Sequence, residues 1–398
     1  MRIQAVGALV GALLASGCSS AVAATTAKCG RPLPAATQTQ VVAAENDLGF
    51  ALLRGKRDAV ISPLSIDQAL GLVYLGARGA TATAFVKSSI VPPIAADDFA
   101  CAAQDLRAGL PQTGSDVTLQ FANALWIKQG LTLKDSFVEQ ARAVFGAGVT
   151  SLDFASPDAV RTINAWVSQR TNGHIPAILS STRGAEAIVT NAVYFKGLWE
   201  HAFAPAQTAS DSFFGAAATT RVPFVNQTAS LGYYAGTGFQ VVRLGYRGNR
   251  FAMYVVLPAK GGGLNMEGTL SRSFAQALPN VTRRRVDLYL PKLHLEYDTD
   301  LVSPLTDLGL GIAFSDRADF GGISDRPMKI ESIIHKTTLD VDEQGTTATA
   351  ATAVVMVATA RYEPSEPPIV VKVDRPFFCI IRDDLSGAVL FLGAIDRI

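Results

Sequence analysis

The chain has 398 residues, of which 48% are hydrophobic and 17% charged, with a formal net charge of +1. That apolar share is enough for a large buried core, and the near-neutral balance excludes the electrostatic footprint of a nucleic-acid binder. The length is compatible with one large domain, since no linker divides the chain.

The first residues are an export signal. Met1 and Arg2 precede an apolar run from Ala5 to Ala15 that is too short to span a bilayer and is followed by small residues. Two exits remain open. Ala15-Ser16-Gly17-Cys18 resembles a bacterial lipoprotein box, in which residues 1–17 are removed and Cys18 is lipidated; Ala21-Val22-Ala23 is an ordinary signal-peptidase site that would remove residues 1–23. Both routes predict an exported protein, extracellular or in the cell envelope, attached to membrane only through a lipid. Residues 24–39, rich in Ala, Thr, Pro and Gln, read as a flexible tether ahead of a domain over 40–398. Cys29, Cys101 and Cys379 then meet an oxidising compartment, at spacings too wide for a metal site. Cys379 sits within apolar Phe377 to Ile381 and reads as a small buried hydrophobe, while a Cys29–Cys101 bridge stays open.

Apolar residues at helical spacing predict a core helix over Leu64 to Ala77, after Ser62-Pro63 and with Ser65 placed to cap it. A second helix is predicted over Val160 to Arg170, ended by Asn172-Gly173. From Ile188 the pattern changes to buried strands, repeated at Phe251 to Leu257 and Val286 to Leu290. Helices early and strands late argue for an α+β architecture over an alternating parallel one.

The segment from Ile330 to Ile381 carries the functional signal. Two β-rich runs, Ile333 to Val341 and Val370 to Val373, are separated by more than twenty residues without a core pattern, and a loop of that length needs a function. From Gln344 to Ala360 it contains no charge and no proline, only small residues and a few apolar ones around Gly345. Such a loop is able to become a strand, because Thr346, Ala348, Ala350 and Thr352 are small enough to face a packed core.

Here the sequence resembles the serpin family, over roughly Val41 to Ile398. Glu343-Gln344-Gly345-Thr346-Thr347-Ala348-Thr349-Ala350 looks like the family's inhibitory hinge, and Val371 to Ile381 fits the family signature at every position. Supporting matches are Ile61 to Ile66, Asn123-Ala124-Leu125-Trp126, Asn164 to Val167, Thr190 to Trp199, Leu290 to Leu293 and His335-Lys336. The resemblance implies three sheets, A, B and C, with eight or nine helices, an exposed reactive loop and a metastable native state. It implies a monomeric inhibitor of serine or cysteine proteases, a suicide substrate whose cleaved loop enters sheet A; a non-inhibitory carrier, chaperone or structural exoprotein is the alternative. It places Ser62, Ser65, Asn191 and His335 in a polar cluster, the shutter, and Trp199, Lys292 and Glu343 at the breach at the top of sheet A. The family's cut falls about fourteen residues beyond the hinge glycine, which gives Thr359–Ala360 and suits an elastase- or subtilisin-like pocket. Arg361–Tyr362 is the competing bond, for a trypsin-like target.

No catalytic residue, cofactor or metal is expected. His174, His201, His294 and His335 show neither metal spacing nor a nucleophile partner. Arg283-Arg284-Arg285 reads as a solvated strand entry, and the early helical region with Asp97, Asp98 and Asp105 is acidic, so a polyanion site is not expected.

Overall fold

The computed structural model describes residues 33–111, 114, 116–266, 268–346 and 367–398. Helices come first: α1 (Ala35–Leu53), α2 (Pro63–Gly76), α3 (Gly79–Lys87), α4 (Ala96–Ala108), α5 (Asp135–Phe145) and α6 (Asp158–Arg170). Among them lie β1 (Ala59–Ile61), β2 (Val117–Lys128) and β3 (Gly148–Leu152). Strands dominate thereafter: β4 (Ala187–Leu198), β5 (Ala209–Phe214), β6 (Thr219–Gly236), β7 (Phe239–Gly245), β8 (Phe251–Pro258), β9 (Thr282–Pro291) and β10 (Leu293–Asp300). The last are β11 (Ser332–Val341), β12 (Gly345–Thr346), β13 (Ile369–Lys372), β14 (Phe377–Asp383) and β15 (Val389–Ile395), with α7 (Leu270–Ala277) and α8 (Val302–Leu305) between strands.

A six-stranded sheet runs β10-β11-β12-β4-β2-β3, and a nine-stranded network runs β1-β15-β14-β8-β7-β6-β9-β13 with β5 on β6. The long β6 joins two parts of that network, pairing with β5 and β9 along its first two-thirds and with β7 at its end. These parts are sheets B and C, and the six-stranded sheet is sheet A.

Sheet A is covered on both faces, which explains the small residues of its central strands. Ala122, Ala124, Ile188 and Ala192 pack under Ile163 and Val167 of α6. Leu119, Val193, Phe195 and Leu339 face the nine-stranded network, among Val255, Leu288 and Phe377. The apolar residues of the signature run are interior, from Val371 and Val373 through Phe377, Phe378, Cys379, Ile380 and Ile381. Cys379 is free, and burial pushes its thiol up to about 12, so it is an inert packing group. Cys101 is disulfide-bonded, with its partner outside the described residues.

Two boundaries differ from the sequence reading. Helix α1 begins inside residues 24–39, the stretch read as a tether, because Pro34 fixes φ at −56° and the alanine-rich stretch from Ala35 is helical. The cap of α2 is Ser62 and not Ser65: Pro63 takes the first helical position, and the Ser62 side chain accepts from the Ser65 N–H at 3.2 Å.

Candidate functional site

The loop segment enters sheet A between β11 and β4, and those two strands meet in two different ways along their length. Over one half they pair directly and in parallel, from Ser332 opposite Ile188 to Thr337 opposite Val193. Over the other half β12 lies between them, antiparallel to both: Thr346 faces Val341 on one side and Gly197 on the other. Thus Gly345 and Thr346 of the hinge are already a short central strand, with Thr346 fully buried. Gly345 must be glycine here, since a Cβ would lie 2.0 Å from the Gly197 carbonyl oxygen. The Thr346 hydroxyl sits 2.6 Å from the phenol of Tyr246, a buried residue that no sequence motif marked.

Below this wedge, the paired half is fastened by a buried polar cluster. Asn191 lies opposite His335 across the seam, and its Oδ1 accepts from His335 Nδ1. The Ser62 N–H donates to His335 Nε2 at 3.1 Å, which fixes a neutral imidazole with its proton on Nδ1. Burial pushes this histidine down to about 3. The Asn191 amide points at the Ser65 carbonyl and hydroxyl, both at 2.7 Å, and at Asn123 Oδ1 of β2. All four residues of the expected cluster are therefore in one place, with Asn123 as a fifth member. Asn123 lies in a motif quoted from the sequence, but its polar role was not read there.

Above the wedge, Glu343 and Lys292 form an ion pair at 2.8 Å, with the carboxyl mostly buried at 14% exposure. The other carboxylate oxygen accepts from the Thr208 hydroxyl at 2.8 Å. Burial raises the Glu343 carboxyl, but the Lys292 and Thr208 hydrogen bonds outweigh it, so it sits below its ordinary value. Trp199 stacks on Tyr246 at 4.6 Å. Its indole N–H donates to the Asp342 carbonyl and its backbone N–H to the Gln344 carbonyl. Asp342 Oδ1 in turn accepts from the N–H groups of Gln344 and Gly345. Trp199, Lys292 and Glu343 thus hold the chain as it turns from β11 into β12.

The remaining site residues, Ala348, Ala350, Thr359, Ala360, Arg361, Tyr362 and Cys18, lie outside the described residues. Arg283, Arg284 and Arg285 open β9 and are exposed. Among the described residues there is no group of three or more His, Cys, Asp or Glu able to hold a metal.

Comparison with known proteins fits this geometry. Residues 44–397 match the family model described as Serpin (serine protease inhibitor). A serpin-like protein of Thermococcus kodakarensis is 34% identical over 355 residues, 87% of this chain and 82% of that protein. The leukocyte elastase inhibitor of Sus scrofa is 32% identical over 84% of this chain and 92% of its own. The native structure of the thermophilic serpin tengpin superposes with a TM-score of 0.84 at 26% identity, covering 92% of this chain and 96% of that one. With a family model spanning nearly the whole chain, and its motifs gathered around one opening in sheet A, the protein belongs to the serpin family.

Proposed function

We propose that this serpin inhibits a serine-type endopeptidase, or a cysteine-type one, by letting its loop be cut and then drawing the cut strand into sheet A. The observation that carries the reading is the seated wedge, Gly345 and Thr346, poised above a seam that is otherwise closed. Strand insertion after proteolysis is a general device for releasing stored strain.

The register shows what insertion asks of the loop. If the ladder continues as it begins, Thr352 arrives between His335 and Asn191, and Met356 reaches Ala187 at the end of β4. Alternate residues Thr346, Ala348, Ala350, Thr352, Val354 and Met356 then share the face that Thr346 presents to Tyr246. None is charged, so no unpaired charge has to be buried, a cost that would stall the strand. Insertion gives up the direct pairing of residues 332–337 with 188–193, but it forms ladders on both sides of a longer strand. Each added hydrogen bond contributes about 0.5–1.5 kcal/mol net, which favours the inserted state. A protease held as an acyl-enzyme on the severed end is carried along before it can deacylate.

The reactive bond in this reading is Thr359–Ala360, just past the last residue the ladder accommodates, and the target has an elastase- or subtilisin-like pocket. The chain itself supplies no catalytic group. It acts outside the cytoplasm, after export, as a monomer, and is tethered to the envelope where Cys18 is lipidated. The test is incubation with elastase-, subtilisin-, trypsin- and papain-like proteases, followed by denaturing electrophoresis. A covalent complex supports inhibition, and a new N-terminus at Ala360 supports the assigned bond. An N-terminus at Tyr362 moves the bond to Arg361 and makes the target trypsin-like. Cleavage by every protease without a complex contradicts the proposal and favours a non-inhibitory role.

A further inference from the structure

Far from the loop, helices α1 and α2 bury two carboxyl groups against each other. Glu45 of α1 is fully buried, Asp67 of α2 is 1% exposed, and α1 packs so closely on α2 that a Cβ at Gly49 would meet the Pro63 ring at 2.3 Å. Neither oxygen of Glu45 has a hydrogen-bond partner, nor does Oδ2 of Asp67, nor either side-chain atom of the neighbouring Gln68. Glu45 feels burial and the nearby Asp67. Burial acts on Asp67 too. The charged groups on the elements packed around them are Lys128 of β2, Lys196 of β4, Arg107 of α4, Arg142 of α5 and Arg272 of α7, with Asp47 of α1, Asp97, Asp98 and Asp105 of α4 and Asp135 and Glu139 of α5; Arg107 donates to the Ala143 and Val144 carbonyls. Two dehydrated carboxylates whose buried oxygens, both of Glu45 and Oδ2 of Asp67, receive no donor are not both sustained as charges, so at least one takes up a proton.

We propose that Glu45 and Asp67 hold a proton in the native fold at neutral pH, and that this bound proton makes the native protein more stable in mildly acidic medium than in neutral or alkaline medium. The direction follows from which state keeps its protons. Asp67 is pushed from 3.8 up to about 7 and Glu45 lies well above 4.5. Below about pH 4 both folded and unfolded chains are protonated at these sites. Between about pH 4 and pH 7 the unfolded chain loses protons that the folded chain retains, so this contribution to stability falls as pH rises. Above pH 7 the Asp67 part levels off, and the Glu45 part continues until that group ionises.

The experiment compares the full chain with Glu45→Gln and Asp67→Asn, measuring thermal midpoints from pH 4.5 to pH 9 with and without calcium. The variants are isosteric and cannot ionise, so at alkaline pH each gains several degrees on the wild type, and the gap closes toward pH 4.5. Infrared difference spectroscopy gives a second readout that survives poor folding of one variant: the wild type at pH 6 shows a protonated-carboxyl band that is weakened or shifted in either folded variant. Parallel pH profiles for all three proteins, or no such band in the wild type, overturn the proposal. A calcium-induced rise in midpoint that requires Glu45 also overturns it, because the pair would then hold a cation and not a proton.

Discussion

Thr346 carries the sharpest consequence at the scale of single residues, because it is fully buried before any protease has acted. Thr346→Arg would place a guanidinium against the buried Tyr246 phenol, at a cost of several kcal/mol. The expected outcome is a hinge expelled from the sheet and an inhibitor turned into a substrate, read as cleavage without complex in the electrophoretic assay. Wild-type stoichiometry of complex in this variant would contradict the insertion route. Two titrating residues act on opposite sides of the wedge. The Glu343 carboxyl lies below its ordinary value, so its contribution is present above about pH 4.5 and is lost as pH falls through the folded value. Lys292→Ala should therefore cost about 0.5–1.5 kcal/mol at neutral pH and progressively less in acid, checked by urea unfolding at several pH values. His335, held neutral and pushed down to about 3, gives stability that is full above its ordinary 6.5 and lost as pH falls toward 3. His335→Gln should flatten that acid limb, and an unchanged limb would remove the histidine from the account.

Among the elements, the seam between β4 and β11 is the part that must both hold and open. Asn191 bridges α2, β2 and β11 through one side chain. Asn191→Ala leaves Asn123, Ser65 and His335 short of partners, and should lower native stability by about 2–4 kcal/mol in urea unfolding. A loss under about 0.5 kcal/mol would mean that strand pairing alone keeps the seam shut. Much of this element was legible in the sequence. The uncharged stretch after Glu343, the buried strand from Ile188 and the interior run from Phe377 each follow from composition and alternation. The cluster around Asn191 was legible only through family resemblance, since residues 62, 65, 191 and 335 carry no joint signal along the chain. Tyr246 and Thr208 escaped altogether: a tyrosine at a strand end and a threonine before β5 look ordinary until the fold sets them against Thr346 and Glu343. The cap of α2 was misplaced because Pro63 extends the helix one residue further back than its apolar spacing suggests.

For the whole molecule, a sheet with a partly filled central gap is open to any strand of matching character, including one from a second copy. Mild heating should drive intact protein into polymers, while loop-cleaved protein, its gap already filled, stays monomeric; size-exclusion chromatography after a graded incubation distinguishes the two. Equal polymerisation of both forms would place the association elsewhere on the surface. Inhibition by this route requires the cut loop to become a strand between β4 and β11, and hydrogen exchange measured before and after cleavage reads this most directly. If the register of Gly345 and Thr346 continues, amides from residue 347 to about 356 become strongly protected once the loop is cut, and those of β4 and β11 stay protected. Residues 347–356 exchanging as fast after cleavage as before would contradict it.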